Sequence, residues 1–141
     1  MTITALAVVA LILLLVTAAF GLSSLLAWSR HRAAGFPIAK IVWHIVFQAL
    51  GIGVWGVFAV TGAVPFAWFA FVILTAGQVF GDLLMFASYR ARHPDRTERR
   101  YFAIGGEVLS FARPAAALHA LIGAIAWFGM LALSIYATFS A

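Results

Sequence analysis

Ile3–Trp28 reads ITALAVVALILLLVTAAFGLSSLLAW and holds no charged residue, no His, no Asn and no Gln. About 20 apolar residues cross the ~30 Å hydrocarbon core of a bilayer as a helix. This stretch is therefore long enough to span, and too long for the apolar core of a cleaved signal peptide. No basic residue precedes it, so it reads as a retained anchor.

The remaining chain repeats the pattern. Ser29-Arg30-His31-Arg32 ends the first span and Gly35-Phe36-Pro37 makes a turn. A second span runs from about Ile38 to Val60, and Thr61-Gly62-Ala63-Val64-Pro65 is an uncharged turn with Gly and Pro as breakers. A third span runs from about Phe66 to Tyr89, followed by the one strongly hydrophilic stretch, RARHPDRTERR at Arg90–Arg100. Tyr101 to Ala141 is too long for one crossing. Pro114 divides it into a fourth span, about Ala115 to Phe139, and a shorter piece, Tyr101–Arg113. In that piece Glu107, Ser110 and Arg113 fall on one helical face, while Phe102, Val108, Leu109 and Phe111 mostly fall elsewhere. This suits a short helix in the membrane interface, with a cytoplasmic extension of the fourth span as the alternative.

Composition agrees. Of 141 residues, 65% are hydrophobic and 9% charged, with a mean hydropathy of +1.09; a soluble domain keeps about a quarter of its residues charged. Lipid offers no hydrogen-bond partner to open strands, so each span must be helical. The expected fold is all-α: one transmembrane domain over 1–141, a four-transmembrane-helix bundle with spans at about 3–28, 38–60, 66–89 and 115–139 and loops at 29–37 and 90–113. Cys is absent, which excludes disulfides, thiolate metal sites and iron–sulfur clusters.

Charge sets the orientation. All nine Lys and Arg (Arg30, Arg32, Lys40, Arg90, Arg92, Arg96, Arg99, Arg100, Arg113) lie in or beside the first and third connections. Basic residues stay inside, so both termini and the second turn are expected outside, in an inner or plasma membrane. The pI near 10.8 then reflects topology and contact with anionic lipid headgroups rather than nucleic-acid binding. Trp28 and Tyr89 sit at span ends as belt anchors; Trp55, Trp68 and Trp127 read as packing or outer-belt residues. Asp95 and Glu98 suit a cap after Pro94 or partners for the loop arginines, and His31 and His93 are expected to be solvated.

Polar residues within spans carry the functional information, because they are costly there. They are His44, Gln48, Gln78, Asp82 and His119, all in the half nearest the basic loops. His44 lies four residues past Lys40 and His119 six past Arg113, roughly 6 Å and 9 Å along a helix, hence at similar depth. His44, Gln48, Gly51 and Trp55 form one helical stripe; Thr75, Gln78 and Asp82 a second; His119, Gly123, Ala126 and Met130 a third. Each stripe is expected to face the bundle interior. Spans two and four run in the same direction, and each carries a His soon after a Pro (Pro37 and His44, Pro114 and His119) and then small residues and a Trp. That pattern is compatible with a parallel repeat about an axis normal to the membrane.

Two His on separate helices at one depth suit a b-type haem, ligated by His44 and His119. Gly51 and Gly123 would leave room for the macrocycle, and Arg30, Arg32 or Arg113 would pair with its propionates. A structural alternative has each His hydrogen-bonded to Gln48, Gln78, Asp82 or a backbone carbonyl. A His44–His119–Asp82 metal site and a proton or ion path through Asp82 are further readings; the structural alternative for Asp82 itself is an ion pair with Arg30, Arg32 or Arg90. Motifs of soluble enzymes are absent. The expected function is a small membrane subunit of a redox or electron-transfer complex, acting with quinone or a partner protein and not an enzyme on its own. The alternatives are a non-catalytic accessory subunit, packed in a larger assembly or a homo-oligomer, and a small proton or ion transporter.

Overall fold

The computed structural model describes residues 2–30, 36–97 and 100–140. His31, Arg32, Gly35, Glu98 and Arg99, singled out above, lie outside them. Five helices form: α1 (Ile3–Ser29), α2 (Ile38–Thr61), α3 (Val64–Arg92), α4 (Tyr101–Val108) and α5 (Pro114–Ser140). Among the described residues there are no strands. Helices α1, α2, α3 and α5 are each long and apolar enough to cross a membrane.

Boundaries follow local chemistry. Thr2 caps α1, its hydroxyl accepting from Ala5 N–H at 3.2 Å. The α2–α3 turn is shorter than the sequence suggests, because Pro65 sits in the first turn of α3 instead of before it. Proline is accepted there, where its missing N–H has no helical partner to lose. The reversal falls on Gly62 at φ +68°, a left-handed conformation that glycine adopts without strain. At the other end, α3 and α5 extend a little beyond the expected spans.

The Tyr101–Arg113 piece is not continuous with α5. It is helical only to Val108; bends carry the chain through 109–113, where Phe111 has φ +60°. The break lies just before Pro114, whose ring disfavours helical backbone in the preceding residue.

The four long helices form two closely packed antiparallel pairs, α1 with α5 and α2 with α3. Looser seams join α1 to α2 and α3 to α5, while the α2 and α5 backbones do not touch. The bundle is thus two layers, with α2 and α5 on one diagonal. Close approach within the layers rests on alanines: Ala7, Ala10, Ala67 and Ala70 are fully buried. The half away from the basic loops is filled by Trp55, Phe58 and Met130. Indole groups tie helices together there: Trp55 Nε1–H donates to Ala7 O at 3.0 Å, Trp68 to Thr138 Oγ1 at 3.0 Å and Trp127 to Thr75 Oγ1 at 2.9 Å. The outer surface is apolar, with Val60, Phe69, Val72, Phe128 and Phe139 projecting from it.

Candidate functional site

His44 and His119 meet across the α2–α5 diagonal, their ring centroids 6.1 Å apart and their planes at 74°. No backbone contact joins these helices, so the side chains alone bridge the space between the layers. Each ring is fixed from its own layer. The His44 Nδ1 lies 2.9 Å from Gly77 O of α3, and the His119 Nδ1 lies 2.8 Å from Thr17 O of α1. A carbonyl can only accept, so in the neutral form of each ring Nδ1 carries the proton and Nε2 keeps a free lone pair. Neither Nε2 makes a hydrogen bond among the described residues.

Glycines seat the rings. A Cβ on Gly21 would fall 2.7 Å from His119 Nδ1, and one on Gly81 would fall 3.0 Å from His44 Cε1. Each glycine lies four residues after the carbonyl that accepts from the ring, one turn along the same helix. The arrangement recurs between the halves of the chain. Thr17 and Gly77, Gly21 and Gly81, and the buried pairs Ala7 and Ala67, Ala10 and Ala70, Leu14 and Leu74 are each 60 residues apart. His44 and His119, and the buried pairs Gly51 and Ala126, Trp55 and Met130, are each 75 apart. The two His therefore occupy matching positions in a twice-used design: α1 corresponds to α3, and α2 to α5.

The other candidates are placed as follows. Gly51 is buried and faces Leu74 of α3; a Cβ there would lie 2.4 Å from Leu74 Cγ. Gly123 faces the Thr17 methyl, 3.2 Å from such a Cβ. Both let helices of one layer approach closely, while the glycines against the rings are Gly21 and Gly81. Gln48, one turn after His44, packs over Gly77, its Nε2 2.9 Å from where a Cβ would stand, and makes no side-chain hydrogen bond among the described residues.

Two expectations are corrected. Gln78 does not face the interior but is exposed. Asp82 is half-buried and takes its hydrogen bond from the Tyr101 hydroxyl of α4 at 3.2 Å, not from α2, α5, Arg30 or Arg90. Gln78 and Asp82 sit at the edge of the core-facing surface of α3, on the side toward α5 and α4. With Asp82 held there, no three His, Asp or Glu side chains among the described residues could hold a metal ion, so the His44–His119–Asp82 site is not formed.

At the basic end a second cluster gathers around Glu107. Arg92 Nη2 donates to its Oε1 at 2.8 Å, and His93 Nε2 lies 2.9 Å from its Oε2. His93 also packs on the buried Tyr89 ring at 4.7 Å, so it is not simply solvated. Partial burial works against the charged carboxylate. The hydrogen bonds from Arg92 and His93 outweigh it and hold the Glu107 carboxyl below its usual range. Arg113 reaches the same place. Its Nη1 donates to Ser88 Oγ at 3.3 Å, and its Nη2 is 3.9 Å from Glu107 Oε1. That Nη2 is buried and has no hydrogen-bond partner among the described residues.

Sequence reasoning had no access to Thr17, Gly21, Gly77 or Gly81. Two act through backbone carbonyls, which carry no side-chain signature, and the others through a missing side chain. The 60-residue recurrence was the available signal. Comparison with known protein families, with curated proteins and with solved structures finds no match.

Proposed function

We propose that this chain is a small membrane redox subunit that holds one b-type haem between His44 and His119, with both termini outside and the basic end in the cytoplasm. The observation that carries the proposal is the paired rings. Two imidazoles ligating one ion from opposite sides, each nitrogen at about 2 Å, have ring centres about 6 Å apart; here they are 6.1 Å apart. Histidines that ligate a metal almost always donate their other N–H to a carbonyl or carboxylate, which fixes the tautomer and strengthens the donor nitrogen. Both rings do so here. Neither ring bonds to Gln48, Gln78 or Asp82; the bonds to backbone carbonyls are shared with the structural alternative, and the spacing of the rings is what favours haem.

The residues then have distinct tasks. Gly77 O and Thr17 O aim the rings, and Gly21 and Gly81 let them lie against the helix backbones. The Nη2 of Arg113, buried without a hydrogen bond among the described residues and 3.9 Å from Glu107 Oε1, is a donor suited to a further carboxylate at the basic end of the bundle, such as a propionate. Its Cα lies six residues before His119, roughly 9 Å along the helix. When bound, the haem supplies one-electron transfer; the protein supplies axial ligands, an apolar surround and a basic rim. Orientation rests on the basic residues, which the two hairpins gather at one end of the bundle.

The test is the absorption spectrum of the purified full chain, expressed with haem supplied. A Soret band near 400–430 nm, lost in both His44→Ala and His119→Ala while helical content is kept, is the expected result. No Soret band in the native chain overturns the reading and leaves an accessory subunit.

A further inference from the structure

Gln78 and Asp82 are unusual in where they are exposed. They continue the stripe of α3 that begins at Phe71 and Thr75, which pack against Trp127 of α5. Farther along, Ser88 meets Arg113 near the start of α5. Between these levels the α3–α5 seam carries an amide with no hydrogen bond among the described residues, Gln78, and a half-buried carboxylate, Asp82, joined to the Tyr101 hydroxyl. At the matching positions of α1, 60 residues earlier, stand Ala18 and Leu22. The opposite seam is therefore apolar, and the polar groups belong to one side only. In a bilayer an unpaired amide costs several kcal/mol, so the position calls for a hydrogen-bonding occupant.

Three features restrict that occupant. The site adjoins the histidine pair, because Gln78 and Asp82 flank the turn containing Gly81, against which the His44 ring rests. It is short, since the two polar residues are four apart, about 6 Å along the helix, which matches the distance across a ring bearing two oxygens. It is bounded by Trp127 at one end and Tyr101 at the other, whereas a partner helix would need an open face along the whole of α3. We infer that the α3–α5 seam binds a lipid-soluble quinol, with Gln78 donating to one ring oxygen and the Asp82 carboxylate, beside Tyr101, accepting from the hydroxyl at the other.

The site is inferred from side-chain placement and does not require that haem be bound, although it would serve the redox role proposed above. The test uses the full chain in lipid nanodiscs with an azido-naphthoquinol photolabel, its attachment mapped by mass spectrometry. Label at residues 75–85 of α3 or at Tyr101, at least tenfold reduced by excess unlabelled naphthoquinol, is the expected result. Gln78→Leu and Asp82→Leu should each lower that labelling at least fivefold, and Leu22→Ala, in the opposite seam, should leave it unchanged. If Asp82→Leu does not fold, judged by helical content and size-exclusion profile, Gln78→Leu and Tyr101→Phe decide the matter. Labelling that is scattered over the apolar surface, not competed, or unchanged in the folded variants overturns the inference. The Soret band, read on the same samples, reports separately on the haem proposal.

Discussion

At the scale of single residues, the site depends on what is missing from Gly21 and Gly81. Alanine at Gly21 would place a methyl 2.7 Å from His119 Nδ1, closer than any real contact, and the obstacle is the ring itself. Gly21→Ala should therefore displace His119 and break its bond to Thr17 O, at a cost of about 1–3 kcal/mol. Gly81→Ala acts on His44 in the same way but more mildly, the nearest contact being 3.0 Å. Both should lower the Soret absorbance per protein without unfolding the bundle. Gly53→Ala, with nothing within 4 Å of the new methyl, should leave the spectrum unchanged and stabilise α2 slightly, since alanine is the better helix former. Equal spectra for Gly21→Ala and Gly53→Ala would refute this account of ring seating. The His pair itself was legible in the sequence, because polar residues in apolar spans are few and depth can be counted along a helix. The direction of Gln78 was not. A stripe of three polar residues reads as inward, but Asp82 is drawn to Tyr101 on α4, and a partner outside the four spans cannot be anticipated from the periodicity of α3.

At the scale of elements, α4 is fastened by two polar attachments, Tyr101 to Asp82 and Glu107 to Arg92 and His93. The carboxyl of Glu107 titrates below its usual range, so its contribution has a definite sign. Stabilisation is complete at pH values above the ordinary carboxylate pKa and is lost as pH falls through the lowered value in the folded state. The pair is partly exposed, so the amount is about 1 kcal/mol or less. Thermal melts of the native chain should lose a small increment on acidification through the carboxylate range, and Glu107→Gln should be less stable at neutral pH and lack that step. Identical pH profiles for the two would remove the attachment from the account. The spans were readable because lipid permits only helices and about 20 residues set their length. Pairing was less so: short connections suggest that α1 lies against α2, yet α1 packs mainly on α5. The small residues that permit this, Ala7, Ala10, Gly21 and Gly123, are common in any apolar helix and name no partner.

For the whole molecule, the matching positions in α1 and α3, and in α2 and α5, make the histidine pair a feature of the repeat. Each half supplies one of the two histidines, and α4 lies in the longer connection of the second half. The proposed haem at the meeting point of the halves would touch both layers, so its removal should loosen the side-chain contact between α2 and α5 more than that within either layer. The topology is open to a simple check. The chain has no Cys, so single cysteines placed at Gly62, Arg96 and Ala141 can be labelled one at a time. Gly62 and Ala141 should react from outside and Arg96 only from the cytoplasm; labelling of Ala141 from the cytoplasm alone would invert the assigned orientation. The central claim, that His44 and His119 jointly ligate one haem iron, is tested most directly by the electron paramagnetic resonance spectrum of the oxidised protein. With two imidazoles at near-perpendicular planes, 74° apart, the account predicts a strongly anisotropic low-spin ferric signal that disappears in either single His→Ala variant. A high-spin signal in the native chain, or a low-spin signal that survives loss of one histidine, would contradict it.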